Sequence, residues 1–461
     1  MSHSGPREGV SSRSGSGSGG PDPAYRSVSD FQSGLRASLH RYGVFARRAW
    51  ELYGRAMETT RSASAPQHSP RIGERTLFPR LTAQAYLAHC AISPPSTHVI
   101  EHVNANLEDS ARIGVAAHGE WMRRRDELKN DLGKLIGAPG SDIALLPNTT
   151  SGVVTAALCI DWRPGDRIVV LRGEFPTNVM PWLEAARRHD LRVSWLDVAD
   201  FRGDAATGLQ KLESILAKGA RLVAVSMVQF QTGLAMPVAE IGAICRAHGT
   251  ELFVDAIQGI GIVPFDAQAV GANYVAGGGH KWLMGPKGTG YLYVAAPAMQ
   301  RFNLRVAGWL SYEEPVEFLF GGTGLLRYDK RLRHDADALE TGMINAPGFA
   351  GLHAAVEDLL SLGVDAVFAH VQRYHDRIEA GLTRIGFTTH RDALPQRRSG
   401  ILAVKPPNPL HARDLPGRLA GSGIVVTAPD GWLRVAPHWP NSLDETDLVI
   451  EEMARCLQPD T

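Results

Sequence analysis

RLVAVSMV (221–228), PVAEIGAICRAHG (237–249), LFVDAIQ (252–258) and NYVAGGGHK (273–281) follow one another in a single stretch of the chain. Short apolar runs give way to a longer run with apolar residues at helical spacing, and then return. The same rhythm runs from Asp142 to Val294: IALL (143–146) before SGVVTAALCI (151–160), IVVL (168–171) before MPWLEAARRH (180–189), then RVSWLDV (192–198) and, last, GTGYLYV (288–294). Strand and helix in alternation predict an α/β fold with a mainly parallel sheet. The runs LVAV and LFVDA are largely apolar, which suits strands covered by helices on both faces. Beyond about Gly308 the pattern changes to helices over 348–362 and 364–385, short strands ILAVK (401–405) and IVVTA (424–428), and a terminal helix over 444–457. This reads as a smaller α+β domain.

Four segments are therefore expected: a Ser/Gly-rich disordered tail over 1–25, an N-terminal helical extension over 26–75, a large domain over 76–307, and a small C-terminal domain over 308–461. The tail (SSRSGSGSGGPDP) has too little apolar surface to offset chain entropy. In the extension, Leu35, Leu39, Val44, Phe45, Trp50, Leu52 and Met57 suggest one or two amphipathic helices. Asp30, Glu51 and Glu58 argue for a packing helix over a basic transit peptide.

The 461 residues carry 48 Lys+Arg and 48 Asp+Glu, so no global field recruits nucleic acid or an anionic membrane, and the expected partner is a small molecule. Cys90, Cys159, Cys245 and Cys456 are scattered, with no paired spacing for zinc or a redox dithiol. They suit a reducing compartment. No apolar run approaches the roughly 20 residues needed to span a bilayer, and the N-terminus lacks the apolar core of a secretory signal. A cytoplasmic protein is expected.

Lys281 ends the run Gly277-Gly278-Gly279-His280-Lys281 after an apolar strand, and Asp255 closes the strand before it. A lysine amine can hold an aldehyde cofactor as a Schiff base, and a carboxylate at the end of a buried strand can keep a pyridine nitrogen protonated. The pair points to pyridoxal 5'-phosphate. Asp255 taken alone also suits a helix cap. Gln258 has an amide N–H to offer the cofactor's phenolic oxygen. Thr149 and Thr150 lie in Asn148-Thr149-Thr150-Ser151-Gly152, between a strand and a helix, where unpaired N–H groups form a phosphate cup; the same residues also make an ordinary cap. Phe175 suits either the core or the face of the ring, and His280 either the phosphate or a neutral satisfied site.

These residues resemble the class V aminotransferase family of fold-type I pyridoxal-phosphate enzymes, which includes cysteine desulfurases, kynureninases and isopenicillin-epimerase-like proteins. The matching elements are YLAHCAISPPS (86–96), PNTTSG (147–152), EFPTNVMPW (174–182), VQFQTG (228–233), VDAIQ (254–258), GGGHKWLMGPKGTGYLYV (277–294), LETGMINAPG (339–348) and WLRVAPHW (432–439). The resemblance implies a large domain with a seven-stranded sheet between helices. It implies that Lys281 carries the cofactor, Asp255 meets the pyridine nitrogen, Gln258 the phenolic oxygen and Phe175 the ring face. Thr149, Thr150 and His280 would surround the phosphate, and Arg434 would grip the α-carboxylate of an amino-acid substrate. A homodimer is implied too, with residues 321–324 or Met343 reaching the partner's cofactor.

The chain also departs from the family. No cysteine lies between Cys245 and Cys456, so the loop nucleophile of cysteine desulfurases is missing. Gly278 stands where many relatives carry a phosphate-binding hydroxyl, and the triple glycine can instead let backbone N–H groups come close to the phosphate. Met343 replaces a common threonine. The expected activity is that of an aminotransferase or lyase acting at the α-carbon. Epimerisation is the alternative, and it needs a second acid/base drawn from His89, Tyr312 or His438. A non-catalytic cofactor-binding regulator is the remaining reading.

Overall fold

A computed structural model describes residues 69–320, 322–408 and 411–458. The expected tail over 1–25, and all but the last residues of the extension over 26–75, lie outside the described residues.

Seven strands form one sheet: β2 (Ile143–Leu146), β3 (Arg167–Arg172), β4 (Arg192–Asp197), β5 (Leu222–Ser226), β6 (Glu251–Asp255), β7 (Tyr274–Gly278) and β8 (Gly290–Val294), in the order β2-β8-β7-β6-β5-β3-β4. The pairs from β4 through β7 are parallel, while β8 runs antiparallel to both β7 and β2. GTGYLYV is thus the strand of this mainly parallel sheet that runs against both its neighbours. β5, β6 and β7 are buried throughout. Their side chains alternate between two cores: Val223, Val225, Leu252, Val254 and Val275 enter one, and Leu222, Ala224, Phe253, Tyr274 and Ala276 the other. The strand period of two explains why the interiors of these runs are apolar on both faces. Each Val, Leu and Phe side chain among them contributes about 1.5–3 kcal/mol on burial.

Two helices carry little signal in the sequence: α1 (Thr97–Ile113) and α2 (His118–Ile136). α1 buries only His98 and Val99 along its length. α7 (Ala346–Leu362) packs on both, and it is apolar nearly all round, burying Phe349, Leu352, Val356 and Leu359 in the first core. A buried ion network fastens α2 beneath the sheet. Arg125 donates to Glu340 Oε2 at 2.8 Å, Arg125 and Lys129 both reach Asp337, and the Leu145 N–H donates to Glu340 Oε1 at 2.9 Å.

The third core belongs to the smaller C-terminal domain. β9 (Thr388–Thr389), β10 (Leu402–Lys405) and β12 (Leu433–Val435) form an antiparallel sheet against α8 (Val364–Arg384) and α10 (Thr446–Cys456). The strand expected over 424–428 is only β11 (Ile424–Val425). It pairs with β1 (Ala85–Tyr86), in parallel and outside that sheet. A further bridge joins Ala88 to Ala436. The arm holding β1 buries Ala85 and Leu87 in the third core, and so brings residues 89–93 against the end of β7.

Candidate active site

After β7 the chain folds into a tight turn held by Gly279 N–H to Thr289 O and Gly285 N–H to Gly279 O, both 2.8 Å. Lys281 sits in that turn, its main chain clamped from two sides. From the arm, the Ser93 N–H donates to His280 O (2.8 Å) and the Ser93 hydroxyl to Lys281 O (2.7 Å). From the loop after β12, His438 Nε2 bonds Trp282 O at 2.9 Å.

Lys281 is partly buried, and its amine titrates below the usual lysine range. Burial lowers it and Arg434 adds to the effect, while Asp255 and Cys90 oppose them. Nζ lies 5.8 Å from the centre of the Phe175 ring. Asp255 ends β6 at 3 % exposure, and burial pushes its carboxyl up to about 6 against the pull of the Ile257 N–H and Lys281. Its Oδ1 accepts from Ile257 N at 3.2 Å. Gln258 is fixed by two bonds, Nε2 donating to Cys90 O and Oε1 accepting from Trp282 Nε1, each 2.9 Å. One amide N–H is left over.

Thr149 opens α3 (Thr149–Cys159), with Asn148 as its cap through the Ser151 N–H at 2.8 Å. The Thr149 hydroxyl is buried and has no hydrogen-bond partner, an expensive state unless something else meets it. Gly278 faces it closely: a Cβ there would lie 2.9 Å from Thr149 Oγ1. Thr150 is exposed on the same turn and bonds Thr177 Oγ1 at 2.9 Å. His280 is partly buried, and burial together with Lys281 and Lys287 keeps its imidazole neutral.

Phe175 is 45 % exposed and meets Phe230 edge to face at 5.2 Å, so it is no core residue. Arg434, from the middle of β12, is 7 % exposed. Its Nε and Nη2 donate to Thr427 Oγ1 (3.0 and 2.9 Å) and its Nη1 to Phe230 O (2.7 Å). One N–H remains on each of Nη1 and Nη2.

The family model for aminotransferase class-V matches residues 85–436, from β1 to the residue after β12. The chain belongs to the class-V aminotransferase family. It is 29 % identical over 404 residues to a probable cysteine desulfurase of Methanothermobacter thermautotrophicus, covering 82 % of this chain and 96 % of that one. Isopenicillin N epimerase of Streptomyces clavuligerus is 28 % identical over 52 % of this chain and 55 % of its own. The apo cysteine desulfurase of Thermococcus onnurineus superposes with a TM-score of 0.70 at 23 % identity, over 80 % of this chain and 94 % of that one. That likeness shows the fold.

Pyridoxal phosphate is the cofactor of this family, and the residues present fit it. An orphaned buried hydroxyl stands at a helix N-terminus, a buried carboxyl closes β6, and a desolvated amine feels that carboxyl's charge.

The candidates His89 and His438 turn out to serve the Lys281 clamp. His438 Nδ1 accepts from the Trp439 N–H (2.7 Å), so Nε2 carries the proton given to Trp282 O. His89 Nδ1 lies 2.8 Å from Ser93 Oγ, whose own hydrogen goes to Lys281 O. Burial holds both rings neutral, His438 at about 4 and His89 well below its usual value. Tyr312 pairs its backbone with Leu332. Sequence reasoning also passed over Ser93, Phe230 and Glu174. The signal for Glu174 was its place two residues past an apolar strand, at the carboxyl edge where open sheets bind ligands.

Proposed function

We propose that this chain is a pyridoxal-phosphate enzyme acting at the α-carbon of an amino acid, as an aminotransferase or a lyase. The observation that carries the proposal is the desolvated Lys281 amine, set beside Asp255, Arg434 and the exposed Phe175 face and titrating low. Bound there, the cofactor supplies an electron sink for the bond that breaks at the α-carbon.

The chain's own residues do the rest. The Asp255 carboxylate would keep the ring nitrogen's proton in place, and the free N–H of Gln258 would serve the phenolic oxygen. Thr149, Thr150 and His280 hold the phosphate, and the missing Cβ of Gly278 leaves room for the Thr149 hydroxyl. Phe175 covers one face of the ring. Arg434 takes the substrate carboxylate with its two spare N–H groups, which sets the α-carbon bond that faces Lys281. A desolvated amine is neutral more of the time at pH 7, so Lys281 is the base for the α-proton.

Cysteine desulfurases are among the relatives, yet the loop cysteine is missing here, and Cys90, Cys159, Cys245 and Cys456 are all buried. The usual persulfide route is therefore not proposed. Epimerisation is disfavoured because His89 and His438 are committed to the clamp. A non-catalytic regulator would have no need of a buried guanidinium with two spare N–H groups beside a desolvated lysine. We infer a homodimer from exposed apolar residues on one segment, Leu319, Leu326, Tyr328 and Met343. A reducing, cytoplasmic setting suits four buried cysteines, and no helix of the described residues is long and apolar enough to cross a membrane.

The test is a panel of amino acids given to the cofactor-loaded protein, with keto acid, ammonia and product chirality measured. Keto acid that needs an acceptor marks a transaminase, and ammonia without one marks a lyase. Inversion alone would refute both. Turnover that survives Lys281→Ala would refute the whole assignment.

A further inference from the structure

A second acid lies beside Asp255, and the proposed chemistry leaves it idle. Glu174, just past the end of β3, turns under the neighbouring strand. Its Oε1 accepts the Ser226 N–H at 2.7 Å, and its Oε2 is hydrogen-bonded to the Ser226 hydroxyl. Ser226 is the last residue of β5 and pairs in register with Asp255, the last residue of β6. Register neighbours on parallel strands point to the same face of the sheet. β5 lies between β3 and β6, so Glu174, Ser226 and Asp255 form a row across three strand ends.

We propose that Glu174 works as a protonated carboxylic acid, coupled through the Ser226 hydroxyl to Asp255, so that the two acids present a single negative charge to the cofactor's ring nitrogen. This rests on the pyridoxal-phosphate reading above. Two carboxylates this close in a poorly solvated site do not both ionise readily. What separates them is their company. Asp255 faces the Lys281 amine and accepts the Ile257 N–H, both of which favour its charge. Glu174 faces Ser226 from β5, Asp255 from β6 and Asn178 from the turn Pro176–Asn178, and none of these is a cation.

Although Glu174 is partly exposed as a residue, its carboxyl is densely surrounded by protein. Burial and the Asp255 charge raise it to about 7 against the Ser226 hydrogen bonds. A ring nitrogen at Asp255 would hold that group ionised, and its charge would keep the proton on Glu174. The protonated Oε2 then donates to Ser226 Oγ, which frees the serine hydrogen for Asp255. Glu174 is thus a positioning residue. It sets the charge of the pair without touching the substrate.

Glu174→Gln copies the protonated acid, with Oε1 still accepting from Ser226 N–H and the amide donating to Ser226 Oγ. Cofactor affinity and the pH titration of the bound cofactor's absorbance are expected to stay within about threefold of wild type. Glu174→Ala should weaken affinity by about tenfold, the scale of one lost hydrogen bond with its partner left unsatisfied. In the apoprotein, the infrared difference between wild type and Glu174→Gln should show the carbonyl stretch of a protonated carboxyl at pH 6, fading as the pH rises past about 7.

Should Glu174→Gln misfold, Ser226→Ala breaks the coupling and keeps both acids, and it should move the absorbance titration by about one pH unit. An ionised Glu174 at pH 6, a tenfold affinity loss in folded Glu174→Gln, or an unmoved titration in Ser226→Ala would each overturn the proposal. A protonated acid in a protein that takes up no cofactor would instead sink the cofactor reading and leave the acid's protonation standing.

Discussion

Arg434→Met tests the carboxylate end of the site. The guanidinium is buried, and among the described residues it has only a hydroxyl and a carbonyl for partners, from Thr427 and Phe230. A cation withdrawn from water without a carboxylate is costly, and a substrate carboxylate removes that cost. Two charge-assisted hydrogen bonds to the spare N–H groups, at about 1.5–3 kcal/mol each, give about 3–6 kcal/mol. At 1.4 kcal/mol per decade, kcat/KM for the amino-acid substrate should fall by about two to four decades. The matching amine, which lacks the carboxylate, should lose less than about threefold. Arg434→Lys keeps a positive charge but not the fork, and should fall between the two. Urea unfolding of the apoprotein should show no loss of stability in Arg434→Met, since an unpaired buried charge has been replaced by an apolar chain. Equal losses for amine and amino acid, or a loss explained by unfolding, would refute the carboxylate role.

Gly278→Ala places a methyl 2.9 Å from both Thr149 Oγ1 and Ile257 Cδ1. Displacing the Thr149 hydroxyl at about 1–3 kcal/mol of strain should weaken cofactor binding about tenfold or more in a cofactor titration, and unchanged affinity would take Thr149 out of the phosphate site. Glu340→Gln strips the charge from the acid that holds Arg125 and the Leu145 N–H, and should cost about 3–5 kcal/mol in urea unfolding with the bound cofactor's spectrum unchanged. In the same network burial works against the Asp337 charge, but Lys129 and Arg125 pull its pKa far below the carboxylate range. The stability it supplies is therefore present above about pH 4 and lost as the pH falls further. Asp255 has the opposite sign. Its folded pKa is raised from 3.8 to about 6, so its contribution is fully present below about pH 4 and fades as the pH rises through about 6. The decline should be on the order of 3 kcal/mol in the apoprotein. It should disappear in Asp255→Asn, and a decline that persisted there would refute it.

The strand and helix alternation was legible because covered parallel strands must be apolar on both faces, as the interiors of β5 to β7 are. Lys281, Asp255 and Thr149 were legible for a related reason, since each sits where an apolar run stops. α1 was not legible, because it buries almost nothing of its own and is held by α7. The short strand β1 was invisible for another reason. Two residues carry no period, and the partner lies at Ile424–Val425, more than three hundred residues away. His89 and His438 read equally well as acids, bases or structural groups, and only their neighbours settled the matter.

The sequence by itself determined which chemical groups reach the carboxyl edge of the sheet, because strand period and apolar runs are local properties of the chain. The tertiary structure decided which of those groups are charged, which are already engaged, and which are left with a free donor. Protonation follows burial and through-space fields, and these come from residues that meet only on folding. The Lys281 turn is held by Ser93 and His438, Arg434 is tethered by Thr427 and Phe230, and Glu174 is bonded to Ser226, the register neighbour of Asp255.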